Sequence, residues 1–204
     1  MQNSMVKIPV LVSFFIFIFV LLFSSCSSSK KLLDHRDGQK YRTVKLGDQT
    51  WMAENLNFLA GPGSRCFDNK DKNCRIYGKL YNWEAAKTAC PDGWNLPDST
   101  DWLLVKNKFE GQGRKMKIRS IYGRRPYIRR INGFNALPAG YYDDKNEFSP
   151  RINGGYFWSS SSTDSGKVKV SHIVFYFWGG HNLGLFEGDI SGGKSFSIRC
   201  IKDY

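Results

Sequence analysis

Four cysteines stand in the body of this chain, at Cys66, Cys74, Cys90 and Cys200, and a fifth, Cys26, follows an N-terminal apolar run. That run fixes the chemistry the four will meet. Lys7 is the only charge among residues 1–25, Ile8 to Phe23 is almost unbroken apolar sequence, and Ser24 and Ser25 precede Cys26. A short positive start, an apolar core and small residues before a cut make an export signal. A run of sixteen residues falls short of the roughly 20 that span a bilayer. Outside the cytosol, an even set of cysteines reads as disulfides. Three pairings are open. Closing Cys66 on Cys74 is the easy local step, and it leaves Cys90 for Cys200. On the chain-entropy account the short loop contributes about 2.6 kcal/mol and the long one about 4.8 if neither is strained. The spacings form no CxxC pair and no His lies beside them, so no metal site is expected.

The string Leu22-Phe23-Ser24-Ser25-Cys26 resembles the lipobox of bacterial lipoproteins, with Phe23 where Leu is usual. The resemblance implies that Cys26 carries lipid and becomes the mature N-terminus. Each buried methylene of an acyl chain contributes about 0.8 kcal/mol, so several chains anchor firmly. Residues 26–36 then read as the lipidated Cys and a flexible polar tether, and 37–204 as one domain. Ser27 is not the Asp that often retains lipoproteins at an inner membrane. The expected location is therefore the outer membrane or cell surface, with the membrane as a partner through the anchor.

Charge is uneven. The whole chain is +12, and loss of Lys7 leaves 29 basic against 18 acidic side chains, a net of +11. Between Lys106 and Arg130 stand ten basic residues against Glu110 alone. They are Lys106, Lys108, Arg114, Lys115, Lys117, Arg119, Arg124, Arg125, Arg129 and Arg130. Such a block attracts phosphates, acidic polysaccharide or an anionic membrane face. Nucleic acid is not an expected partner of an exported lipoprotein.

A hydrophobic fraction of 41% and an aromatic fraction of 15% exclude a disordered chain. Thr43 to Leu46, the Gly47-Asp48 turn and Gln49 to Met52 read as a hairpin. Residues 59–75 read as a loop clipped by Cys66 and Cys74. Asn82 to Cys90 predicts a helix with Trp83, Ala86 and Cys90 on one stripe, ended by Pro91-Asp92-Gly93. Trp94 to Leu96 is a short strand. A second helix begins at Asp98 or Ser99, with Trp102, Val105 and Phe109 on its buried face. Strands are expected near 155–160, 168–178 and 195–201. This order is α+β.

The landmarks also resemble a known family. Leu46-Gly47-Asp48-Gln49-Thr50-Trp51-Met52-Ala53-Glu54-Asn55-Leu56-Asn57 comes first, then Tyr77-Gly78-Lys79-Leu80-Tyr81-Asn82-Trp83. Ala85-Ala86, Cys90-Pro91-Asp92-Gly93-Trp94-Asn95-Leu96-Pro97 and Trp102 follow. Gly133-Phe134-Asn135-Ala136-Leu137-Pro138-Ala139-Gly140, Phe157-Trp158-Ser159-Ser160 and Ser197-Ile198-Arg199-Cys200 complete the set. On these the chain is identified as resembling the Fibrobacter succinogenes major paralogous domain, across nearly all of the mature sequence. The stretch before Gly133 is polar in the family and arginine-rich here. The resemblance implies a C-type lectin-like fold, two helices packed on short antiparallel sheets. In that fold a Cys ending the first helix is bridged to one in the last strand, places that Cys90 and Cys200 fit. The lectin calcium triplets Glu-Pro-Asn and Gln-Pro-Asp are absent, so calcium-dependent sugar binding is not implied, and neither is any activity.

Chemical motifs are few. Gly188 to Ser195 spells G-x-x-x-x-G-K-S, but a β-alternating run follows where a phosphate loop needs a helix. Asp68 to Asn73 places Lys70 and Lys72 where a calcium loop needs oxygens. His35 falls in the tether, His172 in a strand and His181 in a turn after Gly179-Gly180, with no nucleophile elbow to serve. Asp143 and Asp144 are adjacent, which suits a solvated turn better than paired acid chemistry. No cofactor is expected. Trp178, His181 and Asn182 form the best ligand edge, joined by Trp158 and Tyr141 as stacking candidates. The expectation is a lipid-anchored, non-catalytic binding or adhesion module for polysaccharide. The alternative is a structural envelope protein whose basic segment docks to anionic lipid or a protein partner.

Overall fold

The alternation of residues 43–52 produces the expected hairpin. β2 (Lys40–Leu46) and β3 (Gln49–Met52) pair antiparallel with Val44 opposite Trp51. Gly47 takes a φ of +64°, which the two-residue turn requires. The computed structural model describes residues 31–109, 133–134, 136–149, 155–162, 168–175, 181–188 and 193–202. Cys26 and residues 110–132 lie outside these.

The hairpin belongs to a five-stranded sheet ordered β1-β2-β3-β11-β6, where β1 is Lys31–Leu33, β6 is Trp94–Asn95 and β11 is Ile201–Lys202. A second sheet, β10-β5-β4, joins Ser195–Phe196, Leu80–Asn82 and Ser64–Arg65. A third is the meander of β7 (Gly155–Ser162), β8 (Val168–Phe175) and β9 (His181–Gly188). Every paired strand is antiparallel to its neighbour. The helices are α1 (Asp71–Tyr77), α2 (Trp83–Ala86) and α3 (Ser99–Phe109). The fold is small α+β with few helices and antiparallel sheets.

Among the described residues three buried clusters fill the interior. The largest gathers Tyr41, Met52, Leu56, Tyr81, Trp158, Phe196 and Ile198. A second sets Trp51, Trp102, Val105, Phe134 and Phe157 together, with Trp51 and Trp102 edge to face at 5.0 Å. The third holds Phe67, Tyr77, Leu80 and Leu137. α3 enters the second cluster as its pattern predicts, through Trp102 and Val105. Its start is a reciprocal cap: Asp101 N donates to Asp98 Oδ1 and Asp98 N to Asp101 Oδ2.

Both disulfides form, Cys66–Cys74 and Cys90–Cys200. The segment 195–202 does not run as one strand. β10 pairs with β5, Phe157 bridges Ser197, and β11 then pairs with β3 and β6. One extended stretch thus stitches all three sheets.

Four expectations need correction. Residues 31–36 are not tether: Leu32 packs on the largest cluster, and Asp34 is buried against Arg36, so these residues belong to the folded domain. The helix after Asn82 stops at Ala86, because Arg36 takes the carbonyls of Ala89 and Cys90 as acceptors and Cys90 turns to its disulfide. The 59–75 loop contains a helix, α1, which places Cys74 and Tyr77 inward. His181 begins strand β9 rather than occupying a turn.

The two bridges close loops of very different length, 8 and 110 residues apart in sequence. We expect Cys90→Ala/Cys200→Ala to destabilise the protein by about 2 kcal/mol more than Cys66→Ala/Cys74→Ala, read by urea unfolding of each pair.

Candidate functional site

The turn between β1 and β2 organises the site. Asp34 N donates to Gln39 O at 2.8 Å and Gly38 N to Asp34 O at 2.8 Å. Burial would raise the Asp34 carboxyl, but hydrogen bonds from the Arg36 side chain and backbone outweigh it and hold the group below its ordinary value. Arg36 also lies over the Phe58 ring at 3.8 Å. The turn is thereby fixed to the segment that follows β3.

Between β2, that segment and α1 lies a cleft of about 350 Å³. Its polar lining includes Gln39, Lys40, Arg42, Glu54, Asn57 and Arg75; Ile76 and Leu137 add apolar surface. Arg42 and Glu54 are paired twice, Nε to Oε1 at 2.8 Å and backbone N to Oε2 at 3.0 Å. Asn57 Nδ2 donates to Gln39 Oε1 at 3.0 Å, and Gln39 Nε2 returns a bond to Asn57 O at 3.1 Å. The Asn57 backbone N donates to the Tyr41 hydroxyl at 3.1 Å. Burial pushes that phenol above its ordinary range, so it stays neutral. Asn57 Oδ1 is buried and has no protein partner, an unmet acceptor that costs stability unless a ligand or water meets it. Gly78 also lines the cleft. Its φ is +73°, and an added Cβ would sit 2.6 Å from Leu56 O, so only glycine lets α1 approach so closely.

Three cations and one carboxylate line this space. The carboxylate is held in the Arg42 pair, so the cleft lacks the two separate acids of glycosidase chemistry. What it offers is fixed, planar donor and acceptor groups, two amides and a guanidinium–carboxylate pair. Groups of that kind match adjacent hydroxyls on a ring, each of which both donates and accepts.

The described residues among those singled out from sequence as ligand contacts do not line the cleft. Trp158 is a core residue: it is 1% exposed, donates Nε1–H to Tyr81 O at 2.7 Å and packs on Trp83 and Phe196. It presents no ring face to a sugar and is withdrawn as a contact. Tyr141 is half-buried, edge to face with Tyr156 at 4.7 Å. His181 and Asn182 pair with Phe175 and Val174 in the meander. Trp178 lies outside the described residues, as do Cys26 and the basic run Arg114, Lys115, Lys117, Arg119, Arg124, Arg125, Arg129 and Arg130. Among the described residues no group of three or more His, Cys, Asp or Glu is placed to hold a metal ion. Sequence reading missed the cleft because its members come from four separate stretches, 39–42, 54–57, 74–78 and Leu137. Glu54 and Asn57 do stand within the string that carries the resemblance.

Glu54 and Asn55 are neighbours with opposite duties. Asn55 Oδ1 accepts from Arg199 Nε at 2.8 Å, and its Nδ2 donates to Tyr77 O at 2.9 Å. We expect Asn55→Ala to cost about 2–3 kcal/mol, because it removes one buried acceptor from the charged Arg199, which keeps Met52 O and Phe134 O. Glu54→Gln, at a partly exposed pair, should cost under about 1 kcal/mol. Denaturant unfolding of both variants checks the contrast.

Comparison with known proteins agrees with this frame. The model of the Fibrobacter succinogenes major domain matches residues 44–202. No curated protein and no solved structure matches the chain. Over that span, with its landmarks distributed through all three sheets, the chain belongs to the Fibrobacter succinogenes major domain family.

Proposed function

We propose that this protein is a lipid-anchored component of the cell envelope, at the outer membrane or cell surface, whose domain binds polysaccharide without catalysis. The observation that carries the reading is the Gln39–Asn57 amide pair in the lining of the cleft, together with the Arg42–Glu54 pair. Adjacent ring hydroxyls, each a donor and an acceptor, match fixed amide and guanidinium–carboxylate groups of this kind. Two disulfides support an oxidising compartment. The bridge from just beyond α2 to the closing segment supports kinship with C-type lectin-like folds. The lipobox-like string supports acylation of Cys26. Trp178, His181 and Asn182 remain a second candidate edge for the same ligand class, and Tyr141 a separate stacking candidate.

A second reading is favoured by the +9 charge between Lys106 and Arg130. There the protein is structural, and the basic segment docks to anionic lipid or a protein partner. Salt separates the two, because charge-only docking is screened at high ionic strength.

The test is a glycan array probed with the mature protein at low and high salt. We expect retained glycans to persist at high salt and binding to fall about tenfold in Gln39→Ala/Asn57→Ala, the loss of one to two net hydrogen bonds. Loss of all binding at high salt would favour the docking reading. Turnover of a bound glycan would contradict both.

A further inference from the structure

The cleft lies beside a basic face. Lys31 pairs with Arg42 and Leu33 with Lys40 across the β1–β2 ribbon. Cross-strand partners project to the same side, so these four share one face, opposite Leu32 and Tyr41 in the largest cluster. Leu33 is 39% exposed. Arg75 joins the lining from α1. Glu54 answers Arg42, while Lys40 and Arg75 have no ion-pair partner among the described residues. Among the described residues the cleft therefore holds two positive charges without an ion-pair partner, in a lining that also includes Gln39 and Asn57. A phosphomonoester carries about −1.5 to −2 at neutral pH, which balances them, and a ring bearing it offers hydroxyls to the amides.

Position supplies the source of such a group. β1 begins at Lys31, five residues after Cys26. A chain advances at most about 3.6 Å per residue, so whatever path the residues between take, Lys31 at the start of the ribbon stays within about 18 Å of a lipid-bearing Cys26. Tethering at that range presents headgroups at roughly millimolar effective concentration. We infer that the cleft takes the phosphate-bearing sugar headgroup of a glycolipid in the membrane that carries the anchor. This rests on the anchor and sugar-binding readings above, and it narrows the ligand to an acidic sugar held at the bilayer.

The test places the mature acylated protein in phosphatidylcholine vesicles. These contain either phosphatidylinositol or phosphatidylinositol phosphate, whose polyol ring without or with a phosphomonoester models the headgroup. Amide hydrogen exchange over 38–43 and 54–58 is the readout. We expect exchange about tenfold slower with the phosphorylated lipid, because binding closes local opening. Protection should vanish in Lys40→Gln/Arg75→Gln and weaken when a long Gly-Ser linker is inserted after Ser29. Equal exchange in the two vesicles, or protection that survives the double variant, overturns the inference. Intact mass distinguishes the failures. A Cys26 without acyl groups removes the anchor and with it the headgroup source, and soluble inositol phosphate then decides whether the cleft keeps its chemistry. Glycan binding at the cleft without protection by phosphorylated lipid leaves sugar binding standing and sinks the headgroup source.

Discussion

Arg199 is a cation sealed in the interior, 0% exposed, and the domain is arranged to satisfy it. Its Nε donates to Asn55 Oδ1 at 2.8 Å and its Nη1 to Met52 O at 3.1 Å, with Phe134 O as a further acceptor. The rings of Phe134 and Phe157 lie 4.9 and 5.8 Å from its guanidinium carbon. Burial lowers its pKa to about 9, which leaves it charged at neutral pH. A buried charge costs several kcal/mol unless its donors are met. The end of β3, the segment after it and the turn at Gly133-Phe134 are therefore confined to positions that bring their oxygens to Arg199.

That confinement reaches the cleft. Asn55 points inward to Arg199 and to Tyr77 O, while Glu54 goes to Arg42 and Asn57 to Gln39. Backbone bonds hold the same geometry: Ala53 N donates to Arg42 O, and Leu56 N to Ile198 O. The polar lining is thus set from behind by the core, which is how a binding surface is kept rigid without spending its own groups on packing. The Cys90–Cys200 bridge adds a covalent restraint next to Arg199, and Arg36 ties the same corner to the β1–β2 turn through the carbonyls of Ala89 and Cys90.

Much of this frame could be read from the chain. The Gly47 hairpin, the Trp102–Val105 face of α3 and the two disulfides follow from alternation, helical spacing and cysteine count, all local or arithmetic signals. Three things were hidden. Lys31 to Leu33 look like tether because three residues carry no period, and only pairing with Lys40 to Arg42 makes them a strand. Asp71 to Tyr77 carries Lys, Asn and Arg where a buried helix would show more apolar residues, and the Cys66–Cys74 bridge supports it instead. Trp158 is aromatic in a string that could stack on sugar, but its fate depends on Tyr81 and Phe196, distant in sequence. The cleft itself is a tertiary object, so no single stretch announces it.

The central claim is that Arg199 and its flanking strand bind the three sheets into one cooperative unit. Native-state hydrogen exchange tests it at the amides of Met52, Leu56, Trp158 and Ser197. These donate to Cys200 O, Ile198 O, Ser197 O and Tyr156 O respectively. The account predicts that all four exchange only through global unfolding, with one common free energy that falls with denaturant as the whole protein does. Exchange of Met52 and Leu56 through a low-energy local opening, while Trp158 and Ser197 stay protected, would contradict it.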